Sequence, residues 1–302
     1  MKQTISLKML QTLRKGVARI SPEAKQTVKH YIESQLMPDG LFADKTLCKS
    51  DIYYSVFGLM LANFFDVKIP SRISTNHLNI NALNLLEYSS LVRVRMLLSM
   101  RGLRKFLIPF RKHRTHIPVF KEFPHSDPCS PYSQFLLWSL KEDLRYKITD
   151  KEVIIASLEN YRLSDGGYSN ILPTLNSQLS TLNSKLSTLN SQLSTLNSTV
   201  AALMVRGQSQ GYNSNDPAVE YLIDIQDDTG GYKATYDAII PDLLSTATAL
   251  FVLSCYGVKP RIDPAPFIEA HWLDTGAFAS TLPDMTGDIE YTFYGVLALG
   301  TL

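Results

Sequence analysis

Apolar residues fall into two kinds of stretch that alternate along the chain. Pro22–Leu36, Asp150–Tyr161, Asp216–Ile225 and Pro264–Trp272 mix apolar and polar positions in the manner of a helix with one wet face. Asp242–Tyr256 and Asp288–Leu302 are of helical length and apolar on nearly all sides, as helices buried in a larger body are. A glycine turn and about ten loop residues join each polar stretch to the apolar one that follows. The pattern predicts helical hairpins, each an outer amphipathic helix, a glycine turn and an inner apolar helix.

The turn recurs with one internal layout. Asp39-Gly40-Leu41-Phe42 leads to Asp51, Gly230-Gly231-Tyr232 to Asp242 and Gly276-Ala277-Phe278 to Asp288, with 9, 10 and 10 residues from aromatic to Asp. A hydroxyl residue stands four after each Asp: Ser55, Thr246 and Thr292. The Asp or its hydroxyl partner sits where a helix N-cap belongs. Asp165-Gly166-Gly167-Tyr168 is a fourth copy whose partner, Thr199, is displaced to 31 residues by a low-complexity insertion over 174–197, built of TLNSQLS heptads. Phe120 with Ser133 forms a degenerate fifth. Once 17 inserted residues are removed, the aromatic-to-aromatic steps are 48, 47 and 46 residues, while Phe42 to Phe120 spans 78 and leaves room for a unit the pattern does not define. A fixed period means one copied supersecondary unit. The expectation is a single all-α domain over 1–302, an α/α toroid of five or six hairpins whose inner helices begin at one mouth.

Composition narrows the class only a little. Hydrophobic content of 45% supplies a core, and a net charge of +2 gives no footing for bulk nucleic-acid binding. Cys48, Cys129 and Cys255 are an odd, scattered set without metal-ligand spacing, which fits a reducing, cytoplasmic setting. No window approaches about 18 continuous apolar residues, so no membrane span is expected. Between Arg93 and Arg114 stand eight Lys/Arg with interleaved apolar residues, a basic amphipathic segment over 93–116 suited to an anionic membrane surface or an acidic partner protein. The leucines of the insertion keep a 4,3 spacing, but Ser, Thr and Asn are poor helix formers, so a marginal helix or loop is expected there.

The glycine turn feeding an Asp-headed inner helix resembles the repeat shared by protein prenyltransferase β subunits and the triterpene and class II terpene cyclases. Gln226-Asp227-Asp228-Thr229-Gly230-Gly231-Tyr232 also resembles the cyclases' Gln-x-x-x-Gly-x-Trp turn, with Tyr for Trp. The resemblance implies the toroid fold and an isoprenoid or other hydrophobic small molecule as ligand. The prenyltransferases' zinc positions fall on Asp242, Leu244 and Tyr291, which supply neither thiolate nor imidazole, so no zinc or other cofactor is expected. The cyclases' Asp-x-Asp-Asp acid does not occur. A cation six residues before the inner-helix Asp helps bind diphosphate in the prenyltransferases, and Lys45 holds that position, with Lys49 closer to Asp51.

The candidate chemistry gathers at the mouth. Asp51, Asp242 and Asp288, with Glu290, are candidate catalytic carboxylates, since converging carboxyls raise one another's pKa values and provide an acid. Capping the helices is the plainer role for the three Asp. Lys45 and Lys49 would meet a diphosphate, and Tyr53, Tyr54, Trp138, Tyr291 and Tyr294 would line an aromatic cavity suited to an isoprenoid chain. Phe57, Tyr132 and Phe293 extend that wall. Two readings follow, a zinc-independent prenyltransferase- or cyclase-like enzyme and a non-catalytic toroid that binds a protein or lipid.

Overall fold

The computed structural model describes residues 3–70, 73, 75, 79–99, 117–172 and 193–302. The heptads from Thr174 to Gln192 and the basic stretch from Met100 to His116 lie outside them. Eleven α-helices account for most of the described chain: α1 (Ile5–Arg19), α2 (Pro22–Ser34), α3 (Ile52–Phe64), α4 (Leu85–Ser99), α5 (Pro131–Asp143), α6 (Lys151–Glu159), α7 (Leu196–Gln210), α8 (Pro217–Asp224), α9 (Leu243–Tyr256), α10 (Ala265–Ala270) and α11 (Ile289–Leu299). Two small antiparallel hairpins accompany them, β1 (Phe42–Ala43) with β2 (Ser50–Asp51), and β3 (Phe278–Thr281) with β4 (Asp284–Asp288).

The hydroxyl four residues after each cap explains the recurring phrase. The Ser55 hydroxyl donates to the Asp51 carbonyl (2.5 Å) and accepts from the Phe42 amide (2.9 Å). Thr246 does the same for Asp242 (2.7 Å) and Tyr232 (2.9 Å), and Thr292 for Asp288 (2.7 Å) and Phe278 (3.3 Å). Thr199 bonds the Thr195 carbonyl (2.8 Å) and the Tyr168 amide (2.9 Å) across the insertion. One hydroxyl therefore fastens each glycine turn to the first turn of the next inner helix, satisfying a buried amide.

The turns themselves are superimposable in their bonding. Gly40, Gly166, Gly230 and Gly276 all hold φ between 84° and 89°, in the region where only glycine is unstrained. In each, the glycine amide returns to the carbonyl three residues back: Met37, Leu163, Asp227 and Leu273. The degenerate copy is built differently. Ser130 caps α5, and the Ser133 hydroxyl donates to Pro124 (3.2 Å). The unit that the sequence pattern left undefined contains α4, started by a capping box in which Asn84 and Glu87 exchange hydrogen bonds of 3.0 and 2.9 Å.

The amphipathic helices α2, α6, α8 and α10 pack on the apolar helices that follow them, α3, α7, α9 and α11. The apolar helices contact one another in sequence, α3 on α4, α4 on α5, α5 on α7, α7 on α9 and α9 on α11, and α11 packs back on α3. One large cluster of buried side chains joins most of them. Helix α1 belongs to no hairpin. It packs on α11, α5 and α3, with Gly16 and Gly300 in backbone contact distance of α11 and α1.

Candidate functional site

Residues from all six apolar helices and from α1 surround one cavity of about 270 Å³. Tyr53, Tyr132, Asn197 and Leu244 line it from the first turns of α3, α5, α7 and α9, while Met60, Met204 and Val252 line it from later turns. Ile5, Ser6 and Met9 of α1 complete the wall. The lining is largely apolar, with an aromatic cluster on one side. There Tyr53 and Phe57 lie 5.0 Å apart, Phe57 and Phe293 5.0 Å, and Phe293 and Tyr294 5.4 Å between ring centroids.

The three Asp cap their helices. Asp51 accepts from the amides of Tyr53 (2.7 Å) and Tyr54 (3.1 Å), Asp242 from the Ser245 amide (2.7 Å) and hydroxyl (2.6 Å), and Asp288 from the Tyr291 amide (2.8 Å). Burial pushes the Asp242 and Asp288 carboxyls up, against the hydrogen bonds that favour their charged forms. Their charges act on two tyrosines. Burial raises Tyr54 to about 12, and the charges of Glu290, Asp288 and Asp51 add to the effect. Burial likewise raises Tyr291 to about 12, assisted by Glu290, Asp242 and Asp288.

Glu290 differs from them because capping does not occupy it. It stands in the first turn of α11 and is 8% exposed. The Tyr53 hydroxyl, on α3, donates to its Oε1 at 2.5 Å. Burial lifts its carboxyl to about 7, with the Asp288 charge adding and the Tyr53 bond and Lys45 opposing. Tyr294, four residues on, shares its helix face and lines the cavity, as does Tyr53. Burial and then the Glu290 charge hold the Tyr294 hydroxyl far above its ordinary value. A carboxyl that titrates near neutrality behind a phenol of the cavity wall can exchange a proton with the chamber through that hydroxyl.

The other expected residues are placed as follows. Tyr54 and Tyr291 stand among the carboxylates and not on the cavity wall. Trp138 is buried in the core, its Nε1 donating to Glu142 (3.0 Å). Lys45 is exposed, and its charge acts on Asp288, Glu290 and Asp284. Lys49 is exposed just before β2. Of the basic segment, Arg93 turns inward to Asp143 (3.2 Å) and Ser139 (2.7 Å), and Arg95 bonds Thr75 (3.0 Å). Arg93 is the one charged residue in the described cavity lining. Its partner Asp143 also accepts from Ser6 of α1 (3.0 Å). Sequence reasoning missed this pair and α1; the apolar spacing Ile5, Met9, Leu13 was the available signal. Among the described residues, no three His, Cys, Asp or Glu are grouped to hold a metal ion. No described helix is long and apolar enough to cross a membrane.

A scan against protein-family models found no match, and a search of curated proteins found none either.

Proposed function

We propose that the chain is an α/α toroid that takes an isoprenoid-like apolar molecule into its central cavity, with Glu290 as the group that moves a proton. The closed series of helix contacts supports the ring, and the first turns of four apolar helices reaching one cavity support a shared mouth. The observation that carries the functional reading is the Tyr53–Glu290 hydrogen bond beside an aromatic wall. Apolar walls bind the chain by removing its surface from water, and the carboxyl stands one hydrogen bond behind Tyr53, on the wall a reactive end would meet. The cavity is slightly smaller than the ~300–1,000 Å³ usual for ligand pockets, which favours a short chain.

The reaction class is cyclase-like: a proton is added to a double bond of the isoprenoid and one is later taken back from the resulting carbocation, so that the sum is an isomerisation without zinc. Incubation with short isoprenoids, followed by chromatography and mass spectrometry of products, tests it. Turnover by the wild type and its loss, on the order of a hundredfold, in Glu290→Gln is the expected result. A second reading, a binding toroid without catalysis, draws support from the capping bonds that occupy Asp51, Asp242 and Asp288. Saturable binding without turnover would establish it in place of the first.

A further inference from the structure

On its polar side the cavity is lined by phenols, one of which is backed by a carboxyl. Tyr53 gives its hydroxyl proton to Glu290, so its oxygen is left to accept. Tyr132 and Tyr294 also line the cavity, and the charge of Glu290 acts on all three phenols. Asp288 lies behind Glu290 and adds to its field. Of the two cations near this face, Lys45 lies outside the cavity lining, and Arg93, within it, is already engaged. Lys45 is exposed, and its charge acts on Asp284, Asp288 and Glu290. Arg93, which lowers the Tyr132 hydroxyl against burial, is held by Asp143 and Ser139.

A diphosphate carries only acceptors and several negative charges, so it would need free donors and free cations. A protonated amine has the opposite requirements. It donates hydrogen bonds, it is drawn to negative potential in a chamber of low dielectric, and aromatic rings stabilise it further. We propose that the cavity's ligand is a short apolar chain bearing a protonated amine, its head seated by Tyr53 and Tyr294 in front of Glu290. This rests on the reading of the cavity as an apolar-ligand site, and it assigns the head group that Lys45 and Lys49 suggested would be a diphosphate.

Titration calorimetry with geranylamine, geraniol and geranyl diphosphate as probes tests both levels. Geranylamine should bind at least about tenfold more tightly than either of the others. An alkylammonium keeps its charge to about pH 10, whereas Glu290, near 7, goes from about one-tenth to about nine-tenths ionised between pH 6 and 8. Amine affinity should therefore rise roughly tenfold over that interval, and geraniol affinity should stay flat. Glu290→Gln should abolish the rise, and Tyr53→Phe, which keeps the ring, should weaken the amine more than the alcohol. The wild-type pH profile needs no variant, so a misfolded mutant does not remove the test. Equal binding of amine and alcohol, a flat amine profile, or tightest binding of the diphosphate would overturn the head-group assignment while leaving the cavity reading intact. Failure of all three probes to bind would overturn both.

Discussion

At the scale of single residues, Glu290 is the described carboxyl that burial shifts furthest. The capping aspartates have their charge offset by helix amides, whereas Glu290 has one phenol and a distant lysine against burial and Asp288. Its folded pKa of about 7 lies above the ordinary 4.5. Between those values the folded protein holds a proton that the unfolded chain has released. The stability from this group is thus complete below about pH 4.5 and lost as pH rises through about 7. The gap is worth on the order of 3 kcal/mol. Asp242 and Asp288, also raised, contribute with the same sign. Glu290→Gln should match the wild type near pH 4.5 and exceed its stability by about 2–3 kcal/mol at pH 8, measured by urea unfolding across pH. Parallel curves for the two proteins would show that Glu290 titrates normally.

Two glycines separate backbone strain from crowding at the same scale. Gly276 has φ 85° and a position where a Cβ would lie 2.6 Å from the Thr27 carbonyl carbon, whereas Gly257 has φ 69° and open space. Gly257→Ala should cost about 1–2 kcal/mol for conformation alone. Gly276→Ala should cost more, because α2 has to move as well. Equal losses in denaturant titrations would mean that the turn is free to shift.

At the scale of elements, the unit of construction is a turn and a cap joined by one hydroxyl. This was legible because the hydrogen bonds need particular residues at set positions: a glycine, an aromatic, and a Ser or Thr in the first turn of the next helix. The same logic placed Thr199 as the partner of Tyr168 across 31 residues. Where other chemistry closes a turn, the pattern was degenerate or unseen. Helix α4 starts at an Asn-x-x-Glu box and α5 at Ser130, neither of which carries the glycine phrase. The insertion ends sooner than its repeats suggest. Ser194 is buried, donates to Asp165 (2.6 Å) and accepts from Tyr221 (2.9 Å), Thr195 caps α7, and Leu196 is fully buried. The heptads are near-copies, so removing two of them leaves the same Leu-Ser in front of Thr195. That deletion should change stability by less than about 1 kcal/mol, as closure entropy varies slowly with loop length. Thr199→Val should cost about 1–3 kcal/mol, since it strands the buried Tyr168 amide. If the deletion cost more than the substitution, the heptads would be packed into the body.

At the scale of the whole molecule, the candidate site is a product of closure. Glu290 and Tyr53 lie 237 residues apart and meet because α11 packs on α3. Local spacing put both residues at helix starts, but their hydrogen bond depends on the ends of the helix series meeting. The same closure surrounds the cavity with six helices, and α1, outside the repeat, lines it as well. Binding in that cavity is the central claim, and one measurement addresses it directly. Ala201, on α7, lines the cavity, so Ala201→Phe would place a ring in the chamber. Geraniol titrated by calorimetry into wild type should bind saturably, one per chain, and at least tenfold more weakly to Ala201→Phe, with both proteins folded by circular dichroism. Equal binding to the two proteins, or none to the wild type, would contradict the claim that the cavity is a ligand site.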